Sequence, residues 1–262
     1  MYTFDYKRPA TQAEAIAAAG SEAKYLAGGQ SLVQAMKLRL ASTPTLVDLS
    51  RVAELRGISV AADGVTIGAM TRHAEVAHSA EVRAAIPGLA SLAEGIGDQM
   101  VRNQGTLGGS LANADPAACY PAAVVGLGAT IRTDRRSIAA DDFFKGLYET
   151  ALEPGELIVS VTFPKPKRSA YIKFKHPASR FAMVGVFVAQ ATDGVRVAVT
   201  GAKSQVFRAA EIEQALSRDF SPAAAAAVEL AHEEMAADMH AGAEYRAALI
   251  SVLASRAVAG AA

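Results

Sequence analysis

The sequence predicts an α+β protein, and three observations lead there. Strand and helix patterns alternate over residues 1–57, the rhythm of a small parallel sheet. From Ile58 the pattern turns to hairpins, with Asp63-Gly64 as a turn, which argues a second and mostly antiparallel sheet. The run Pro164-Lys165-Pro166-Lys167 then breaks the chain. Beyond it, antiparallel strands give way to helices. The expected division is residues 1–166, in lobes of about 1–57 and 58–166, followed by a C-terminal domain at 167–262.

Taken in order, Thr11-Gln12-Ala13-Glu14 is a capping box opening an alanine-rich helix that Gly20 ends. Tyr25-Leu26 reads as a short strand. A helix then runs through Leu40, with Ser31 as N-cap and Leu32, Ala35, Met36 and Leu40 on one face. Residues 45–49 form a second strand, and residues 58–60 and 65–67 form the hairpin. Thr71 caps a short helix through Val76, and Gly88 starts another helical stretch. Residues 129–133 and 157–163 are strands, with a helical turn from Asp141 between them. In the C-terminal part, residues 171–174, 181–191 and 195–199 read as strands, and residues 208–218, 222–239 and 244–259 as helices.

Composition narrows the function. The 26 basic residues balance 26 acidic ones, which argues against a nucleic-acid or membrane-surface role. No apolar run approaches the ~20 residues of a membrane span. The opening, Met1 to Arg8, is charged and aromatic with no signal-peptide core, so a cytoplasmic protein is expected. The single Cys119 excludes an internal disulfide, and an iron–sulfur cluster from this chain alone would need about four thiolates. His73 and His78 are off the same-face spacing of a helix, and all five histidines read as surface or satisfied groups. No Ser/His/Asp arrangement stands out, and no catalytic residue is assigned.

Two glycine-paired loops carry the chemistry: Ala27-Gly28-Gly29-Gln30-Ser31, running into Leu32, and Thr106-Leu107-Gly108-Gly109-Ser110. Glycine lets backbone N–H groups approach a diphosphate closely, and a helix start adds partial positive charge. One such loop is most often a turn; two of one design suit the two sides of an extended dinucleotide. Gly126-Leu127-Gly128 lacks the third glycine of a dinucleotide fingerprint, and no Gly-Lys-Ser/Thr closes a phosphate-transfer loop. Neither loop contains lysine or arginine, which suits a permanently bound diphosphate.

The chain resembles the FAD-binding medium subunits of the molybdenum hydroxylases, the family of carbon monoxide dehydrogenase medium chains and the xanthine dehydrogenase flavin domain. The likeness covers nearly the whole length. It rests on Phe4-Asp5-Tyr6, the first loop with Met36-Lys37-Leu38-Arg39, and Ile67-Gly68-Ala69-Met70-Thr71. The most specific block runs from Val101-Arg102-Asn103-Gln104-Gly105 through the second loop to Asn113-Ala114-Asp115-Pro116-Ala117-Ala118. Asp142-Phe143-Phe144 and Glu153-Pro154-Gly155-Glu156-Leu157-Ile158 also fit.

The resemblance implies a two-lobed flavin domain of the vanillyl-alcohol-oxidase/MurB type, with both loops gripping the FAD diphosphate. It adds Asn113 and Asp115 to the cofactor set, and puts Lys173 and Phe181 near the isoalloxazine. It further implies an electron-transfer subunit, working with a small iron–sulfur subunit carrying [2Fe–2S] clusters and a large molybdenum subunit, as a dimer of heterotrimers. The acceptor would be a quinone, NAD or oxygen. Alternatives are a free-standing FAD oxidase or reductase, or an assembly module without flavin. Three departures bear on the site: Gln30 stands where some relatives carry His, Cys119 where many carry Asp, and Arg180 where several carry an acid.

Overall fold

The computed structural model describes residues 1–20 and 22–262. The first lobe holds β1 (Asp5–Lys7), α1 (Gln12–Ala19), β2 (Lys24–Leu26), α2 (Leu32–Lys37) and β3 (Thr45–Asp48). Its strands form a parallel sheet in the order β1-β3-β2. Thr11 and Glu14 make the reciprocal cap of α1, and Gly20 ends the helix at φ 57°.

Helix α2 stops earlier than its apolar spacing predicts. Leu40 N–H donates back to Ala35 and Arg39 N–H to Met36, with Arg39 left-handed at φ 60°. This is a Schellman ending, built without glycine. It leaves Leu38 and Leu40 exposed and only Met36 of the expected face buried. Ser31 occupies the N-cap position, but its hydroxyl makes no capping bond.

The second lobe opens with the hairpin of β4 (Ile58–Val60) and β5 (Gly64–Gly68). Helices follow: α3 (His73–His78), α4 (Ala80–Ala85), α5 (Pro87–Glu94), α6 (Gln99–Gln104), α7 (Leu107–Asn113) and α8 (Tyr120–Gly126). Then come β6 (Thr130–Thr133), β7 (Ser137–Ala139), α9 (Ala140–Phe143), β8 (Phe144–Gly146), β9 (Glu149–Thr150) and β10 (Ile158–Pro164). The main sheet is antiparallel in the order β4-β5-β10-β6-β7. Thr71 does not cap α3. Its hydroxyl bridges the Gly57 N–H and C=O, and the Glu75 carboxylate instead accepts from Arg72 N–H at 2.7 Å.

The C-terminal part contains β11 (Arg168–Lys175), β12 (Ala182–Gln190), β13 (Val195–Thr200), β14 (Phe207–Arg208), α10 (Ala210–Arg218), α11 (Pro222–Ala226) and α12 (Ala243–Ala259). The four strands form one antiparallel sheet. Val184, Val186 and Val188 alternate onto the face that packs Ile250, Leu253 and Ala257 of α12. The helix expected over residues 222–239 ends at Ala226. Tertiary hydrogen bonds compete for the rest: Ala236 N–H donates to Ala202, and Asp238 accepts from His240 and Ala241 N–H and from Arg246. The largest core passes under the second lobe and takes in Tyr171 and Phe187 from β11 and β12.

Candidate cofactor site

The fold brings the two glycine loops into contact. A β-carbon on Gly28 would lie 2.8 Å from the Gly105 Cα. One on Gly109 would lie 3.2 Å from the Ala27 Cβ. Gly29 takes φ 71°, a conformation that glycine adopts without strain. Gly108 is needed for another close approach: its β-carbon would lie 3.0 Å from the Ala69 Cα.

The loops are not equivalent. The second is the first turn of α7, capped by the Thr106 hydroxyl, which accepts from Gly109 N–H at 3.2 Å. Its other amides are also occupied: Leu107 donates to Thr71, Gly108 to Ala69 and Ser110 to Thr106. In the first loop no such bond engages the amides of Gly29, Gln30, Ser31 and Leu32 among the described residues. Backbone donors for an anion therefore come from the first loop. The second contributes a flat glycine surface and side chains.

Between them opens a cleft of about 450 Å³. Ala27, Gly28, Gly29, Gln30, Ser31 and Leu32 line it from the first loop, and Thr106, Gly108, Gly109 and Ser110 from the second. Asn113 and Asp115 extend that wall, and Lys173 and Phe181 close it from β11 and the entry to β12. Leu107 departs from expectation: its side chain is 0% exposed in the main core, because the first turn of α7 points it inward. Phe181 is 45% exposed, so it faces the cleft as a surface ring and is not core.

Lys173 Nζ donates to the Arg180 carbonyl at 2.8 Å and lies 3.2 Å from Cys119 Sγ. Arg180 is left-handed at φ 61°, in the turn that brings Phe181 back to the cleft. Its guanidinium lies 3.4 Å from the Gly97 carbonyl on the far side.

Several lining groups carry no signal in the sequence. His73, read there as a surface or satisfied histidine, is 5% exposed, and its Nδ1 has no partner among the described residues. Burial, with the Arg102 guanidinium nearby, pushes its pKa down to about 4, so the ring is neutral at pH 7. Glu156 lines the opposite wall, but Arg136 and Thr133 hold its carboxylate, and the Arg136 hydrogen bonds pull its pKa down to about 2. Tyr25 donates to the Gly155 carbonyl at 3.1 Å, and burial pushes its phenol up to about 12. His73 and Glu156 lie far in sequence from either loop and join the site through the fold, whereas Tyr25 sits in the strand that leads into the first loop.

Residues 2–166 match the family model described as the FAD binding domain in molybdopterin dehydrogenase. The carbon monoxide dehydrogenase medium chain of Hydrogenophaga pseudoflava is 35% identical, with 97% of this chain and 96% of that one aligned. The chain belongs to the FAD-binding medium subunits of the molybdenum hydroxylases. Another member, the nicotine 6-hydroxylase medium subunit of Paenarthrobacter nicotinovorans, is 33% identical over 97% of this chain and 95% of its own. Among solved structures, quinoline 2-oxidoreductase from Pseudomonas putida 86 superposes with a TM-score of 0.90 at 32% identity, covering 99% of this chain and 96% of that one. As a medium subunit, this chain is an FAD-binding part of an oxidoreductase with the expected α+β flavin-domain fold. No described helix is long and apolar enough to cross a membrane.

The residues present fit FAD. A β-carbon would fill the cradle at Gly28 and Gly109, and first-loop amides are free among the described residues. The remaining wall is mainly apolar, with hydroxyls, the Asn113 amide and the charged groups of Lys24, Asp115, Glu156, Lys173 and Arg180.

Proposed function

We propose that this chain is the FAD-carrying electron-transfer subunit of a molybdenum hydroxylase. It would take electrons from [2Fe–2S] clusters on a small partner and pass them to an external acceptor. A large partner would hold the molybdenum cofactor, in a dimer of heterotrimers. The observation that carries this reading is the meeting of both glycine loops at Gly28 and Gly105 along one cleft. A cleft continuous past both loops suits a dinucleotide, whereas a mononucleotide would need one loop.

Bound FAD supplies the redox chemistry that links two-electron and one-electron carriers. The chain's own part is to bind and orient. Amides of Gly29, Gln30, Ser31 and Leu32 would hold the diphosphate, with the hydroxyls of Ser31 and Ser110 and the Asn113 amide completing its polar surroundings. Lys173 and Phe181 would lie along the isoalloxazine, and Asp115 would bond a cofactor hydroxyl. With one cysteine, the chain has no cluster of its own to supply electrons.

The test is purification from the native organism by a tag on this chain, followed by subunit masses and FAD, iron and molybdenum analysis. The reading predicts two further subunits, both metals, and FAD near one per tagged chain. If the chain purifies alone with FAD and turns over a small organic substrate without iron or molybdenum, it is a free-standing flavoenzyme instead.

A further inference from the structure

His73 stands directly behind the junction of the two loops. Its backbone N–H donates to the Gly105 carbonyl at 3.0 Å, which ties the start of α3 to the chain entering the second loop. Its ring lies so close that a β-carbon on Gly105 would be 2.5 Å from Nε2. Gly28 packs on the same Gly105 backbone. Gly28, Gly105 and the imidazole are thus stacked where the two loops meet along the cleft.

The ring's tautomer follows from its surroundings. A neutral imidazole carries one N–H and one bare lone pair. A buried N–H without a partner is rarer than an under-used acceptor. Leaving the lone pair on the buried, unpartnered Nδ1 puts the proton on Nε2, the nitrogen on the loop side. Tyr120 backs the ring with centroids 5.3 Å apart, so the imidazole cannot swing away from the junction without opening the core.

Backbone donors are lacking on the second-loop side. Amides 107–110 of the second loop are already committed within the protein. A diphosphate held by first-loop amides on one side would meet no backbone donor from that turn on the other. We propose that His73 is a positioning residue for the cofactor, its Nε2–H donating to the FAD diphosphate from the floor of the loop junction. This rests on the FAD reading above and adds a donor that neither loop sequence contains.

The test measures equilibrium binding of FAD, ADP-ribose and riboflavin to the wild-type apoprotein and to His73→Gln, His73→Asn and His73→Phe. Glutamine places its amide N–H near the position of Nε2, asparagine near that of Nδ1, and phenylalanine keeps the packing on Tyr120. The proposal predicts that the Gln variant binds FAD within about threefold of wild type, while Asn and Phe lose at least about tenfold. ADP-ribose should lose the same factor, and riboflavin, which has no phosphate, should lose none. The phosphorus resonances of bound FAD should move in the Asn variant and not in the Gln variant. Wild-type affinity in the Phe variant, or losses that rank with thermal stability alone, would overturn the role of His73. If Phe prevents folding, the Gln and Asn pair decides by the same criterion. If the wild-type chain binds ADP-ribose and riboflavin but not FAD, the FAD reading itself fails.

Discussion

Gly28 and Gly105, from loops far apart in the chain, pack backbone against backbone, so that a β-carbon on Gly28 would stand 2.8 Å from the Gly105 Cα. The same added atom would be 2.7 Å from the Gln104 carbonyl carbon. Neither neighbour is a flexible side-chain end, so the contact fixes the spacing of the cleft walls.

Gly28→Ala should therefore force the loops apart. The expected cost is about 2 kcal/mol of stability, as for other overpacked sites, together with loss of flavin per folded chain. Gly194→Ala is the control, because Gly194 has positive φ but open space around it. It should cost about 1 kcal/mol and keep its flavin. Urea unfolding and flavin content on the same samples separate the two effects. Equal flavin content in both variants would mean that the junction does not shape the site.

The buried His73 should leave a mark on the stability–pH curve. Its pKa is about 4 when folded, against the ordinary imidazole value of 6.5. Between those values the unfolded chain binds a proton that the folded chain does not. Stability from this group is complete above pH 6.5 and is lost as pH falls towards 4. The expected loss between pH 7 and pH 5 is about 2 kcal/mol. Urea titrations of the apoprotein at both pH values should show it in wild type and not in His73→Phe.

Cys119 is the chain's single cysteine, and it lines the cleft at 5% exposed beside Lys173. Any maleimide adduct therefore reports on this one position. FAD loading should slow labelling at least about tenfold, because a ligand in the cleft covers the route to Sγ. The rate is read by intact mass against time. Equal rates with and without FAD would place the bound cofactor away from Lys173 and Cys119.

Much of this architecture was legible because the signals are local. The capping box at Thr11 and Glu14 and the Asp63-Gly64 hairpin each depend on residues adjacent in sequence, whereas the strand at Asp5–Lys7 and the order β1-β3-β2 come from pairing across about 40 residues. The misreadings share a cause in long-range contacts. Residues 228–239 have helical composition, yet Ala202, Ser251 and Arg246 take their backbone and side-chain bonds. Helix α2 ends on a left-handed arginine, which composition does not announce. The Gly-Gly pairs marked both sides of the site, but not their inequality, since amide occupancy in the second loop depends on Ala69 and Thr71. His73 enters the site only through folding, since a lone histidine has no spacing to read, whereas the resemblance had already drawn in Cys119 as a departure and Glu156 within residues 153–158.

Glu156 gives a second pH signature, of opposite origin. Arg136 and Thr133 hold its carboxylate at a pKa of about 2, against 4.5 for an ordinary glutamate. The stabilisation is complete above pH 4.5 and is lost as pH falls through 2. Glu156→Gln should flatten this part of the acid-unfolding curve and leave the His73 region unchanged. Circular dichroism over pH 2–7 on both proteins checks it, and identical acid limbs would mean that the ion pair does not stabilise this wall.

The most direct test of the central claim is a titration of the isolated apoprotein with FAD and with FMN, followed by flavin fluorescence. A cleft walled by two loops for one diphosphate predicts saturation at one FAD per chain, with FMN bound at least about a hundredfold more weakly. Equal affinity for FMN, or a chain that stays colourless after incubation with FAD, would contradict it.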